Sequence, residues 1–360
     1  MKTKKVTTGI AVVGVLAGAA GLAIVTVPAG ADPAPQLPKV SPESLVSSVL
    51  QAKPAQFGGT MSATSNLGIP LPELKQGTDG DYSAQVYYGG ADKFRLTSAQ
   101  QGGSQHTTVS DGSTLWNYDS KGREVSKLPM QHAKAHEKAM QERGKGDPVA
   151  MSKQLVGKLR ESSDLTVDGT ARVADRDAYE LVLTPKPSEK TLVREVRVAV
   201  DAQTRMPLRF EAFGNGSADP ALEFGFTKLD VGQQDPALFS FTPPQGAKVT
   251  TVDPSKHMDK LKKQPKQQMN TVGEGWDTVL TGKLDTKNAK LPQGEQGKQE
   301  PGQSNTPAGI MDRFAKPVHG AYGNGHLIST SIGTALITDD GRFAAGLVPQ
   351  QVLEQALGTK

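Results

Sequence analysis

The stretch "VSDGSTLWNYDS", Val109–Ser120, carries the clearest fold signal in the 360-residue chain. The Asp-Gly dipeptide at 111–112 is typical of tight β-hairpin turns, because both residues tolerate the backbone conformations that such turns need. After the turn, Thr114, Trp116 and Tyr118 alternate with other side chains and therefore share one face of a predicted strand. The stretch predicts two antiparallel strands, with one of only two tryptophans in the chain close to the turn.

The same period-two alternation recurs on both sides of this unit. Sustained alternation indicates antiparallel strands that bury one face, and turn signals every 8–12 residues are typical of a barrel or sandwich. The predicted strands are "DYSAQVYY" at 81–88, "KFRLTS" at 93–98, "YELVLTP" at 179–185, "TLVREVRVAVD" at 191–201, "MPLRFEAFG" at 206–214 and "ALEFGFTKLD" at 221–230.

Helical patterns occur before the strands and in the middle of them. Ser41 is a suitable N-cap followed by Pro42 at the first helical position. Between residues 131 and 161 the pattern becomes helical twice, and the second helix carries Met151, Leu155 and Leu159 at intervals of four. Such a stripe is expected to cover an apolar surface. The sequence therefore predicts an α+β fold in which helices pack on one face of an antiparallel sheet.

Aromatic residues mark the main domain. Fourteen of the 18 Phe, Trp and Tyr residues fall between Phe57 and Phe241, and a core of this size depends on such side chains. Residues 41–250 are therefore predicted to form one domain. Residues 251–306, rich in Lys, Gln, Gly and Pro, are predicted to be mostly linker with a short segment near Trp276, and residues 307–360 to be a small C-terminal α/β module.

The N-terminus has the pattern of a targeting segment. Three lysines in the first five residues precede an apolar run at 10–27, and Ala29-Gly30-Ala31 is a small-residue cleavage site. Residues 1–31 are predicted to be a signal peptide cut after Ala31. The alternative is an uncleaved membrane anchor, since the run approaches the roughly 20 residues that a span needs. Both predict an extracytoplasmic protein, secreted or associated with the cell envelope.

Composition excludes several classes of site. The chain has no cysteine, which rules out disulfides and cysteine metal sites, and its net charge of +4 is weak evidence for a nucleic-acid partner. The basic excess indicates either a solvated linker or a loose attraction to anionic lipid. His132 and His136 have zinc-ligand spacing, but Ala133 stands where a zinc protease needs Glu, and no third ligand is evident. No hydrolase elbow, P-loop or dinucleotide motif occurs. A non-enzymatic protein without cofactor or metal is expected.

Four motifs in the predicted order resemble those of the LolA-like family, which includes the lipoprotein carrier LolA and the N-terminal domain of the sigma-E regulators RseB and MucB. These motifs are "KFRLTSAQ", "VSDGSTLWNYD", "AYELVLTPK" and "LFSFTPPQGAKV", and the resemblance covers about residues 41–250. The make-up is similar to secreted LolA-like proteins of actinobacteria. One departure is that Tyr87-Tyr88-Gly89-Gly90 stands where enterobacterial carriers have Lys-Arg-Pro, so strict lipoprotein shuttling is not implied.

The resemblance implies an incomplete antiparallel β-barrel, that is, a curved sheet with a helical lid over an apolar cavity. The ligand would be a lipid or the acyl chains of a lipoprotein. The alternative is an RseB-like regulator whose C-terminal module contacts a membrane protein such as an anti-sigma factor. Trp116 would lie on the inner face near the lid, or else be ordinary core. The candidate cavity residues are Tyr88, Phe94, Leu96, Trp116, Tyr118, Met151, Leu155, Leu159, Phe210 and Phe224.

Overall fold

Two β-sheets and three α-helices make up the part of the chain that the structure describes, a computed structural model covering residues 35–53, 55–68, 82–90, 92–99, 103–130, 148–252, 269–283 and 315–358. The two sheets belong to one compact unit, Ala34–Lys360. The helices are α1 (Pro42–Gln51), α2 (Pro148–Ser162) and α3 (Gln350–Gly358). None of the helices within these ranges is long and apolar enough to span a membrane.

The first sheet has twelve strands in the order β12-β6-β5-β4-β3-β2-β1-β11-β10-β9-β8-β7. All neighbours are antiparallel except β12, which runs parallel to β6. The strands are β1 (Phe57–Ser65), β2 (Tyr82–Gly90), β3 (Lys93–Ala99), β4 (Gln105–Asp111), β5 (Thr114–Asp119), β6 (Glu124–Pro129), β7 (Ser163–Val173), β8 (Arg176–Pro185), β9 (Val193–Asp201), β10 (Pro207–Gly214), β11 (Leu222–Val231) and β12 (Lys248–Thr251).

Helix α1 begins where the sequence predicts. The Ser41 hydroxyl accepts a hydrogen bond from the Ser44 backbone N–H at 3.2 Å, and Pro42 occupies the first turn, where its missing N–H costs nothing. Helix α1 packs against α2, with an ion pair of 2.7 Å between Glu43 and Arg160. Of the predicted insert, only α2 lies within the described residues, and the polar helix expected at 131–143 lies outside them.

A second, six-stranded sheet follows, in the order β13-β14-β18-β17-β16-β15. Its strands are β13 (Asn270–Val272), β14 (Val279–Lys283), β15 (Lys316–Gly320), β16 (Gly323–Ser329), β17 (Thr334–Thr338) and β18 (Arg342–Gly346). Helix α3 packs on one face, where Val279, Leu336 and Leu353 are almost fully buried. The segment near Trp276, predicted to interrupt a linker, therefore supplies two strands and a 3₁₀ helix, Gly275–Asp277, to this module.

The second sheet docks on the first through its loops. The Leu192 N–H donates to the Leu347 carbonyl oxygen at 2.9 Å, and the Ser331 N–H donates to the Leu67 carbonyl oxygen at 3.0 Å. The Trp276 indole N–H donates to the Ser163 hydroxyl at 2.7 Å. These bonds tie the module to the ends of β1, β7 and β9.

The predicted α+β class is confirmed. The first sheet is curved and open, since β12 and β7 lie at its two edges and are not paired to each other, and a small strand-rich module follows it. The seven stretches assigned as strands from their alternation all form strands. The terminal motif "LFSFTPPQGAKV" differs, because its first half lies in a 3₁₀ helix, Pro236–Phe239, and an extended segment before β12 begins.

Candidate functional site

The helices and half of the predicted cavity residues lie on the same face of the first sheet. Directly paired residues of neighbouring strands point to the same side, as do residues an even number apart on one strand. A continuous face therefore runs from β3 to β8, through Phe94, Tyr88, Phe57, Ala63, Phe224, Phe210, Val198 and Leu181. It is called the helix face here, and the opposite side is the outer face.

Helices α1 and α2 cover the helix face above β7, β8 and β9. Leu45 and Val46 of α1 and Val156 of α2 are buried in one cluster with Tyr179 and Leu181 of the sheet. Val156 is 2% exposed, whereas its neighbour Leu155 is 45% exposed. The helix therefore anchors through Val156, and Leu155 points away from the core.

The second sheet covers the other end of the same strands. Ile332, in the loop between β16 and β17, is buried against Val193, Val196 and Ala212, and Trp276 packs beside this cluster. Phe210 lies at its margin and stacks on Phe224, with ring centroids 5.0 Å apart. The helix face from β7 to β10 is thus covered from two directions.

Within the described ranges, no hydrophobic cluster covers the helix face of strands β2–β6 in this way. None of the four hydrophobic clusters formed by the described residues contains a side chain from these five strands. Their helix face nevertheless carries six half-buried apolar side chains, namely Val86, Tyr88, Phe94, Leu96, Leu115 and Leu128. This surface, called the apolar surface below, is the strongest candidate binding site among the described residues.

The apolar surface is graded from apolar to polar along the strands. The first cross-strand row is apolar apart from the fully buried Ser110, the second is mixed, and the third is mostly polar. In the second row the Thr108 hydroxyl donates to the side-chain amide oxygen of Asn117 at 2.8 Å, so these two polar groups are paired with each other. The rows are Tyr88, Phe94, Ser110, Leu115 and Leu128; Val86, Leu96, Thr108, Asn117 and Ser126; and Ala84, Ser98, His106, Asp119 and Glu124.

The outer face of the same five strands is covered, and Trp116 lies there. Trp116 pairs with Val109, which pairs with Arg95, whereas Phe94 and Leu96 point the other way. Trp116 and Tyr118 pack against Phe241, with centroid distances of 5.7 and 6.0 Å. The expectation that Trp116 faces the helices is therefore corrected, because the register of β5 puts it on the side that the segment after β11 covers.

Close packing on the outer face requires glycine at position 89. A Cβ atom built on Gly89 would lie 2.5 Å from the ring of Phe239, in the 3₁₀ helix Pro236–Phe239. Any side chain at position 89 would therefore displace the aromatic ring. The Arg95 guanidinium donates to the Leu238 carbonyl oxygen at 3.3 Å and holds the same segment in place.

The outer face of β8–β11 is charged. Arg209 lies 3.1 Å from Glu180 and 3.3 Å from Glu211, and Glu211 is paired directly with Glu223 on β11. Burial raises the pKa of the Glu211 carboxyl; Arg209 opposes this, while Glu223 adds to it.

The ten predicted cavity residues therefore do not line one surface. Tyr88, Phe94 and Leu96 lie together on the apolar surface, and Phe224, 47% exposed, borders it beside Phe210. Leu159 packs against the cluster under α2. The side chain of Met151 lies outside the described residues. Trp116 and Tyr118 lie on the outer face, and Leu155 is exposed on α2.

Three residues of the apolar surface are missing from the sequence-based set, namely Val86, Leu115 and Leu128. Val86 shares the alternation of Tyr88, so the sequence does contain a signal for it. Leu115 lies next to Trp116 in the strand, and neighbouring residues point to opposite faces. The expectation that Trp116 points toward the helices therefore excluded Leu115 from the predicted set. Alternation fixes which residues share a face, but it does not say which face the helices cover.

The described part of the chain holds no group of three His, Asp or Glu side chains that could bind a metal. His319 Nδ1 is 2.6 Å from the Asn324 side-chain oxygen, and His326 is 3.9 Å from Asp339. His132 and His136 lie outside the described residues.

No family model and no curated protein sequence matches the chain. Among solved structures, the MucA/MucB complex of Pseudomonas aeruginosa is 16% identical over 87% of this chain and 94% of that one, with a TM-score of 0.42. A LolA superfamily protein from Nitrosomonas europaea is 11% identical over 56% of this chain and 99% of that one, with a TM-score of 0.23. An uncharacterized conserved protein from Thermus thermophilus is 14% identical over 58% and 97%, with a TM-score of 0.34.

MucB and LolA superfamily proteins, which the sequence motifs resemble, are thus among the solved structures to which the chain is similar.

Proposed function

We propose that the chain is an exported, non-enzymatic protein that binds an apolar ligand, a lipid or the acyl chains of a lipoprotein, on the apolar surface. The observation that supports it is the set of six apolar side chains on the helix face of β2–β6, outside every hydrophobic cluster of the described residues. Soluble proteins rarely leave a contiguous apolar area without a binding role.

The size of the surface suits an acyl chain. Five neighbouring strands at about 4.8 Å spacing extend across about 19 Å. Each methylene group that leaves water contributes roughly 0.8 kcal/mol, so ten of them contribute about 8 kcal/mol before the entropic cost of association is subtracted. Burial of one acyl chain along the first row would therefore offset much of the entropic cost of association.

The gradient of polarity gives the ligand an orientation. An acyl chain would lie along Tyr88, Phe94 and Leu115, and a ligand that bends along the strand direction would bring its polar headgroup to the row that contains His106 and Asp119, about 13 Å away at roughly 3.3 Å per residue. Hydrogen bonds at one end and burial at the other favour an amphipathic ligand over a plain hydrocarbon.

Helix α2 does not need to open in this mechanism. It is docked over β7–β9 through Val156, whereas the apolar surface lies on β2–β6. In this proposal α2 closes the core beside the site, and the lid role expected for it, with Met151, Leu155 and Leu159 contacting ligand, stays a prediction.

Native mass spectrometry of the exported protein, purified without detergent, tests this function. A bound species of lipid mass, removed by organic solvent and regained on adding a fatty acid, is the expected result. Ligand-free protein that takes up no fatty acid would refute it. Recovery with an envelope protein instead of a lipid would favour the alternative, a regulator similar to RseB and MucB that acts on an anti-sigma factor.

A further inference from the structure

A polar groove of about 410 Å³ lies on the outer face of β2 and β3, the side opposite the apolar surface. Its floor contains two cross-strand pairs, Tyr87 with Arg95 and Gln85 with Thr97. The 3₁₀ helix Pro236–Phe239 forms one wall. The volume falls within the range of roughly 300–1,000 Å³ that is usual for ligand sites.

The Arg95 guanidinium is a cation without a neutralising partner in the described ranges. It is half-buried and donates to the Leu238 carbonyl oxygen at 3.3 Å, and no carboxylate of the described residues forms an ion pair with it. Asp235 lines the same groove, but its carboxylate accepts the Ala237 N–H at 2.8 Å as the cap of the 3₁₀ helix. Asp235 is therefore engaged as a helix cap, and the remaining guanidinium donors are available to a ligand.

The other polar side chains on the strands of the groove also lack internal partners. The side chains of Gln85, Tyr87, Thr97 and Gln105 form no hydrogen bond within the part of the chain that the structure describes. Polar groups that converge on a groove and do not satisfy one another are typical of a binding site, because a ligand can complete their hydrogen bonds. The groove thus offers several hydrogen-bond donors beside an unpaired cation.

Packing against β1 fixes the position of Tyr87. A Cβ atom built on Gly58 would lie 2.8 Å from the Tyr87 ring, so the ring occupies the space that a side chain at position 58 would need. Gly58 is itself buried. A ring held in this way gives the groove a rigid side, which lowers the entropic cost of binding a ligand.

We propose that this groove binds a ligand through a carboxylate group that pairs with the Arg95 guanidinium. The planar guanidinium matches a carboxylate with two parallel hydrogen bonds, and such charge-assisted bonds are stronger than neutral ones. A doubly charged phosphate fits less well, because the Asp235 carboxylate in the same groove repels a dianion more strongly than a monoanion. The groove and the apolar surface lie on opposite sides of β2 and β3, so both sites can be occupied at once.

The carboxylate can belong to the C-terminus of a peptide or to a small free acid. The groove is larger than a carboxylate group alone, and Gln85 and Gln105 carry amides that can donate to and accept from peptide groups. A peptide C-terminus would use these amides as well as Arg95, whereas a small acid would use Arg95 alone.

Nuclear magnetic resonance of the arginine side-chain Nε–H groups tests the proposal. N-acetyl-trialanine, which has a free carboxylate and no long acyl chain, should shift the Arg95 signal in a saturable way at millimolar concentration, whereas its C-terminal amide should not. Weaker binding of acetate than of the peptide would identify a peptide C-terminus as the ligand, and equal binding would identify a small acid. Equal shifts with the peptide acid and its amide, or no saturable shift with either, would overturn the proposal.

Two arginine variants provide a matched comparison, read from the backbone amide signals of β2 and β3. Arg95 and Arg123 both donate to carbonyl oxygens of the segment after β11, those of Leu238 and Gln245, but only Arg95 lines the groove. Arg95→Gln should bind N-acetyl-trialanine at least about tenfold more weakly, and Arg123→Gln should bind it like the parent. Equal affinities in the two folded variants would also overturn the proposal.

Thr97→Glu covers the case in which Arg95→Gln fails to fold. The substitution places a carboxylate two residues from Arg95 on the same face of β3, where it competes with the ligand for the guanidinium. Binding of N-acetyl-trialanine should be lost. Retention of peptide binding by the folded Thr97→Glu protein would contradict the proposed role of Arg95, whatever the outcome for lipid binding on the other face.

Discussion

Trp116 packs against Phe241 on the outer face of the first sheet, with ring centroids 5.7 Å apart and ring planes inclined by 41°. The Lys127 ammonium lies 5.0 Å from the Trp116 ring on the same side. The tryptophan therefore holds the segment after β11 onto the sheet and leaves the helix face of β5 to Leu115. A structural role explains why this aromatic residue follows a hairpin turn.

The pairing predicts a measurable coupling between the two rings. Trp116→Ala should lower the free energy of unfolding by about 2 kcal/mol, below the 3–5 kcal/mol of a fully buried aromatic residue, because the ring is half-buried. A double-mutant cycle combines Trp116→Ala with Phe241→Ala, and urea unfolding of each protein is monitored by circular dichroism. The coupling free energy between the two rings should be about 0.5–1.5 kcal/mol. Additive losses would show that the contact contributes nothing.

Neighbouring residues of α2 should respond in opposite ways to truncation. Val156→Ala removes a side chain that is 2% exposed and should cost about 2 kcal/mol, whereas Leu155→Ala removes one that is 45% exposed and should change stability by less than about 0.5 kcal/mol. Thermal unfolding of the two variants is the measurement. A larger loss of stability for Leu155→Ala than for Val156→Ala would mean that the helix packs on the sheet through Leu155.

These residues also show how far the sequence leads. The alternation in "KFRLTS" correctly paired Phe94 with Leu96, and the N-cap at Ser41 correctly placed α1, because both signals are local. The choice between Leu155 and Val156 and the side on which Trp116 lies depend on long-range pairing and on the path of residues 236–247. An amphipathic helix can bury either the face that contains Leu155 or the adjacent face that contains Val156, and the local sequence pattern is compatible with both.

Acid sensitivity should arise in part at the turn between β9 and β10. Burial alone would raise the pKa of the Asp201 carboxyl, but hydrogen bonds from the Arg176 guanidinium, at 2.6 and 3.0 Å, and from Thr204 outweigh it and lower the pKa below its usual value. A lowered pKa adds stability above the unfolded value of about 4, and this contribution is lost as the pH falls through the folded value.

Asp201→Asn should therefore be less stable than the parent at pH 7 and lose less stability on going from about pH 5 to about pH 2. Urea denaturation at a series of pH values measures both quantities. Parallel curves for the two proteins would show that Asp201 is not a source of the pH dependence.

The two halves of the first sheet are covered on opposite sides. Over β7–β9 the helices cover the helix face and leave Glu180 on the outer face, where it pairs with Arg209 of β10. Over β2–β6 the segment containing Phe239 and Phe241 covers the outer face and leaves Leu96 and Phe94 on the helix face. Alternation within one strand does not reveal which face of the sheet is covered, because the covering segments are distant from the strand in the sequence.

Ligand affinity of two neighbouring variants of β3 tests the central claim most directly. Leu96→Glu places a charge on the apolar surface, and Thr97→Glu places the same charge on the outer face one residue later, so the pair is matched in strand and in charge. In titrations with a fluorescent fatty acid, Leu96→Glu should bind at least about tenfold more weakly than the parent, about 1.4 kcal/mol, and Thr97→Glu should bind like the parent. Unchanged binding by a folded Leu96→Glu protein, or equal losses in both variants, would contradict a ligand site on the helix face of β2–β6.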